Sequence, residues 1–242
     1  KDRIQVQSGV RFGRTLGSPL TLQIVNLDYA NWEKRMAPFG GSPAEEMCVT
    51  KPRPGHADLP GALKYEQQDI RNVLERASAR ETAARVAVGA VAKALLRHFS
   101  IEIYSCVESI GTVKAPAVAA DRLAALYERI EASPVRCADK TCAQAMMEAV
   151  DAAKAEGDSL GGIFAVAALG VPVGLGSHVQ WDKKLDGRLA AAFMSIQAVK
   201  GVEIGDGFLS AARPGSLVHD EIDYQNGRGY YPRSNHAGGI EG

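Results

Sequence analysis

Three arginines, Arg76, Arg80 and Arg85, fall within the stretch Arg-Ala-Ser-Ala-Arg-Glu-Thr-Ala-Ala-Arg. Guanidinium is the side-chain group best shaped for two-point contact with phosphate or carboxylate. Ser78 followed by Glu81 has the spacing of a capping box, so a helix is expected to start at Ser78. The open N–H groups and positive dipole end of such a helix favour an anion. Surface ion pairs of these arginines with Glu75 and Glu81 are the competing reading, since pairs four residues apart are common on helices. A second candidate is Arg53-Pro-Gly-His-Ala-Asp58. Pro54 and Gly55 put His56 in a loop, and Asp58 is near enough in sequence to orient the imidazole or raise its pKa. A loop histidine bonded to backbone is the alternative there.

The elements that must carry these residues read as a mixture of strands and helices. Residues 4–10 alternate Ile-Gln-Val-Gln, the pattern of a half-buried strand, and residues 20–25 form a second strand candidate. Residues 37–62 are rich in Pro and Gly and read as a long loop. A helical region over 69–97 follows, in two segments meeting near Ser78. Its turns from Val86 to Ala92 are apolar on every side, which predicts burial between layers. Residues 101–110 read as a strand, and 121–132 and 139–156 as amphipathic helices, each opened by an Asp at the N-cap. Residues 161–173 read as a buried strand and 184–199 as an apolar helix. Residues 206–242 are glycine-rich. The order lacks the regular alternation of a doubly wound sheet, so an α+β fold is expected.

Composition narrows the functional classes. Lys+Arg 28 balances Asp+Glu 28 and aromatic content is 6%, which disfavours a nucleic-acid partner. No apolar run is long enough to span a bilayer, and the first residues do not form a signal peptide, so a cytoplasmic location is expected. Cys48, Cys106, Cys137 and Cys142 show no CxxC spacing, which points to small reduced thiols rather than a metal centre. Gly174-Leu-Gly-Ser177 lacks the GxGxxG frame of a dinucleotide site. The residues alone support an α+β protein that binds an anionic small molecule.

Four segments in order resemble the chorismate synthase family: Arg53-Pro-Gly-His-Ala-Asp58, Arg76-Ala-Ser-Ala-Arg-Glu-Thr-Ala-Ala-Arg85, Ile196-Gln-Ala-Val-Lys-Gly-Val-Glu-Ile-Gly-Asp-Gly-Phe208 and Arg233-Ser-Asn-His-Ala-Gly-Gly-Ile-Glu-Gly242. Ser8-Gly-Val-Arg11 and Thr15-Leu-Gly-Ser-Pro19 are also similar to the family's early strands. The resemblance implies one domain over 1–242, with a helical layer sandwiched between antiparallel β-sheets. It implies a phosphate lyase of the shikimate pathway, which converts 5-enolpyruvylshikimate 3-phosphate to chorismate by 1,4-anti elimination in the presence of reduced FMN, typically as a homotetramer. By the same resemblance Arg53 and Arg80 would contact the substrate anions, and His56 would be the proton donor. Arg76, Ala77, Ser78, Gln197, Ala198, Asn235 and Gly242 would line the flavin. The matched stretch begins after the family's Gly-Glu-Ser-His-Gly segment and stops before its Lys-Pro and Arg-Ser-Asp segments. An internal portion of the enzyme, inactive alone and weak in FMN binding, is therefore the expectation. A non-catalytic flavin- or anion-binding relative of the same fold is the alternative.

Overall fold

The computed structural model describes residues 3–41, 47–77 and 79–241, with the backbone alone at Ala79 and Arg80. Two compact units are present, one formed by Lys1–Gly89 with Gly174–Gly242 and the other by Ala90–Val173.

The first unit opens with β1 (Ile4–Ser8), β2 (Val10–Arg11), β3 (Arg14–Thr15) and β4 (Thr21–Ile24). β1 pairs antiparallel with β4, with Ile4 opposite Ile24 and Val6 opposite Leu22, and Gln7 donates to Gln23 at 2.7 Å. The expected alternation is there, but the strand is exposed throughout rather than half-buried. The predicted long loop ends early, at helix α1 (Asp58–Lys64). α2 (Arg71–Leu74) and α3 (Ala79–His98) follow, meeting where two helical segments were expected. α1 packs closely on α2: a Cβ placed on Gly61 would lie 2.6 Å from Val73 Cγ1.

α3 departs from the expectation of a buried helix. Ala87 is 3% exposed, but Val86 and Val88 are 66% and 63% exposed. Small and β-branched residues on every side do not make a helix buried when only one of its faces has a neighbour.

The second unit is built on a three-stranded antiparallel sheet in the order β6-β5-β7, with β5 (Glu102–Ile110) between β6 (Val113–Lys114) and β7 (Gly162–Leu169). No residue of the central strand is exposed. Cys106 packs with Leu123 and Ile130 of α4 (Ala120–Ala132). Cys137 packs with Ala143 and Met146 of α5 (Lys140–Ala155). Asp139 caps α5 as predicted, accepting the Cys142 N–H at 2.8 Å. Asp121 does not cap α4: the N-cap is Ala119, and Asp121 lies in the first turn, where its charge meets the helix dipole. β7 also corrects its expectation. Ala165, Ala167 and Leu169 are half-buried while Phe164, Val166 and Ala168 between them are exposed, so one face is covered, not two.

The chain then returns to the first unit with α6 (Leu185–Met194), shorter than the 184–199 expected, and α7 (Gly207–Ser210). A hairpin of β8 (Ile222–Gln225) and β9 (Gly229–Pro232) precedes the glycine-rich end of the described residues. Helices and small antiparallel sheets make the fold α+β.

Candidate active site

The Arg53–Asp58 loop turns at Gly55, where φ is +72°. Asp58 opens α1 and is 1% exposed. Its carboxylate accepts three hydrogen bonds from Arg53: the backbone N–H at 2.9 Å, Nε at 2.9 Å and Nη2 at 3.1 Å. The Arg53 side-chain bonds, then its backbone N–H, pull the Asp58 pKa down to about 2. This corrects the sequence reading, because Asp58 orients Arg53 rather than His56. The His56 ring is exposed, and its backbone N–H donates to the Arg53 carbonyl at 3.4 Å. A guanidinium has five N–H donors, so Arg53, with two of them on Asp58, keeps three for an anion.

α2 leads from this loop region to Arg76, exposed, and Ala77, half-buried. Ser78, the Arg80 side chain and Gly242 lie outside the described residues. In the first turns of α3, Glu81 accepts from Gln197 Nε2 at 2.6 Å and from Arg85 Nη2 at 3.3 Å. Arg85 also donates to Ser195 Oγ at 2.9 Å. The arginine cluster is therefore thinner than the sequence suggested, since Arg85 is engaged in the ion pair that the competing reading described. Thr82 Oγ1 donates to Gln197 Oε1 at 3.5 Å. Ala198, next in the chain, adopts φ +68°, a left-handed conformation costing an ordinary residue about 1–2 kcal/mol. Such strain in a folded chain gathers where a ligand or a clamp requires it.

The glycine-rich segment is held by two aspartates the sequence reading did not single out. Asp206 donates its N–H to the His236 carbonyl at 2.7 Å, and its carboxylate receives His236 Nδ1 at 2.8 Å and Arg213 Nη1 at 2.9 Å. Asp220 accepts from Ser234 Oγ and from the N–H groups of His236 and Ala237, each of the latter at 2.8 Å. Both carboxyls sit below their ordinary pKa, Asp206 chiefly through His236 and Asp220 chiefly through Ser234. Asn235 is exposed between these anchors. Gly205, at φ +56°, passes so near that a Cβ there would lie 2.1 Å from the His236 carbonyl oxygen. A sequence signal existed in Gly205-Asp-Gly207 and Asn235-His-Ala-Gly-Gly239, but no spacing linked the two glycine turns. His236 meets Asp206 through both its carbonyl and its ring.

The structure therefore brings α3 to Gln197 and the Gly205 turn to residues 236–238, next to Asn235 in the chain. Among the described residues, no hydrogen bond or ion pair ties the His56 ring to Arg76, Gln197 or Asn235. A cavity of about 430 Å³ lies behind the glycine-rich segment, lined by Ile204, Val218, His219, Asp220 and His236 among others, and Arg53, His56, Arg76 and Gln197 are not part of its wall. Among the described residues, no cluster of His, Cys, Asp or Glu could hold a metal, and no helix is long and apolar enough to cross a membrane.

The family model described as chorismate synthase matches residues 1–242. The chain belongs to the chorismate synthase family. It is 56% identical over 247 residues to the chorismate synthase of Symbiobacterium thermophilum, covering all of this chain and 63% of that protein. The chorismate synthase of Desulforamulus reducens is 57% identical over 242 residues, covering all of this chain and 62% of that protein. The chain thus spans a little over three-fifths of the length of these relatives. A solved structure titled "Crystal Structure of Chorismate Synthase" superposes with a TM-score of 0.84 at 47% identity, covering 100% of this chain and 67% of that one. The likeness extends to the fold.

Proposed function

We propose that the protein acts as a chorismate synthase in the shikimate pathway, eliminating phosphate from 5-enolpyruvylshikimate 3-phosphate with reduced FMN. The match of the family model over every residue of the chain carries this reading. The two compact units are read as parts of one family domain.

The residues present fit a flavin. The first turns of a 20-residue helix offer a positive dipole end toward a phosphate. Arg76 is exposed beside it, and Ala77 and Ala198 are small enough for a ring to approach the backbone. Arg76, Ala77, Ser78, Gln197, Ala198, Asn235 and Gly242 would hold the cofactor. When bound, reduced FMN would supply transferable electron density for the loss of phosphate, with no net redox change over the elimination.

The chain's own residues bind, orient and neutralise. Arg53 and Arg80 meet the substrate's anionic groups, and Asp58 fixes the plane of the Arg53 guanidinium before substrate arrives. As the C–O bond breaks, its electron pair leaves with phosphate, and guanidinium charge stabilises that departing anion. His56, on its exposed loop, would be the proton donor of the site. The whole protein is read as a cytoplasmic homotetramer.

The test is an anaerobic assay of the gene product with chemically reduced FMN. Chorismate and phosphate should appear one to one, and His56→Ala and Arg53→Ala should each lower kcat/KM at least a hundredfold. FMN binding without any chorismate would replace this reading with a non-catalytic flavin-binding protein.

A further inference from the structure

The Glu81 carboxylate stands out because it ties together two segments that are far apart in sequence and that the flavin reading assigns to the same ligand. We propose that Glu81 is a positioning residue that fixes the Gln197 amide for the flavin; the proposal rests on the reading of Gln197 as a flavin contact. A primary amide can present either its oxygen or its NH2 to a neighbour, and the two ends have nearly the same shape. A carboxylate only accepts, so the 2.6 Å contact with Glu81 Oε2 forces the NH2 end of Gln197 toward α3. Thr82 Oγ1 faces the other end, Gln197 Oε1, at 3.5 Å. Each end of the amide thereby has one defined neighbour. One N–H and one oxygen lone pair remain, the donor and acceptor that a cyclic imide edge matches.

Glu81 is itself held. Arg85 pairs with its other oxygen at 3.3 Å and reaches Ser195, two residues before Gln197, at 2.9 Å. Glu81 and Arg85 thus attach to the 195–197 turn at two points. The left-handed Ala198 lies immediately beyond, so the turn that aims Gln197 keeps its strained shape against α3. Gln197 is half-buried, where a charge-assisted hydrogen bond is stronger than in water.

The experiment measures FMN affinity of the gene product by anaerobic titration, following the shift of the bound-flavin absorption spectrum, in Glu81→Ala, Glu81→Gln, Gln197→Ala and the Glu81→Ala/Gln197→Ala double variant. Thermal melting checks that each folds. Gln197→Ala and Glu81→Ala should each weaken FMN about tenfold, and the double variant should be no weaker than either single one. Glu81→Gln, which still offers an oxygen to the amide, should recover most of the affinity. Side-chain amide resonances give a readout without flavin: the Gln197 NH2 pair, identified by its loss in Gln197→Ala, should move upfield in Glu81→Ala. If Gln197→Ala weakens FMN while Glu81→Ala leaves both affinity and the amide resonance unchanged, the positioning role is overturned and the flavin reading stands. If the amide resonance moves but neither single variant changes FMN affinity, the flavin assignment of Gln197 fails, and the positioning role toward flavin fails with it.

Discussion

Replacing Gly205 by Ala isolates what close approach is worth in the glycine-rich segment. Two costs must be separated. Gly205 has φ +56°, and an ordinary residue there costs about 1–2 kcal/mol. Restricting the unfolded chain returns about 0.4–1 kcal/mol, leaving a net cost of about 1 kcal/mol. The second cost is steric, because the new Cβ would lie 2.1 Å from the His236 carbonyl oxygen and 2.5 Å from the Gly238 nitrogen. Both are backbone atoms, so neither can swing aside as a side chain would. Forced displacement in packed surroundings costs about 1–3 kcal/mol. Gly227 supplies the control: its φ is +83°, and nothing lies within 4 Å of a Cβ built there. Gly227→Ala should therefore lower Tm by roughly 2–4 °C, and Gly205→Ala by a further 2–12 °C for a chain of this size. Hydrogen exchange should quicken at the Asp206 amide, which donates to His236 at 2.7 Å, only in Gly205→Ala. Equal melting temperatures in the two variants would refute the claim that contact, rather than backbone angle, requires glycine at 205.

Two further outcomes test other parts of the structure. Asp58 has a folded pKa of about 2 against an ordinary 3.8, so its contribution is complete above pH 4 and is lost as pH falls toward 2; Asp58→Asn should flatten that acid limb, and identical pH dependence of Tm in variant and parent would contradict the Arg53 contact. Met146 is 0% exposed, so Met146→Ala should cost about 2–5 kcal/mol in a denaturant melt, whereas a loss under 1 kcal/mol would show that the Cys137 cluster is not a packed core.

Local chemistry was legible in the sequence where the signal and its partner lie close together. Asp139 capping α5 follows from a short-range rule, and the 69–97 region does divide into α2 and α3, while the Ser78 capping box lies outside the described residues. The alternation of β1 was correct as a strand pattern, yet its burial was not, because alternation reports which side a residue faces and not whether that side is covered. The same gap explains Val86 and Val88 on α3. Asp58 was drawn to His56 by proximity, but a guanidinium five residues back offers a forked donor that matches both carboxylate oxygens. Asp206 and Asp220 were missed because, Arg213 apart, their partners lie 14 to 30 residues away and only folding makes them neighbours. The resemblance placed Gln197 beside flavin, but nothing in the sequence indicated that Glu81 would hold it.

The fastening of residues 234–237 by Asp220 has an entropic consequence. Glycine-rich stretches are usually credited with looseness, but here two amides and a hydroxyl already have their acceptor. A molecule settling against Asn235 meets preorganised backbone and incurs little of the ordering penalty that a slack loop would impose. Affinity along this edge is then governed by dissociation rate rather than by a slow search for a competent shape.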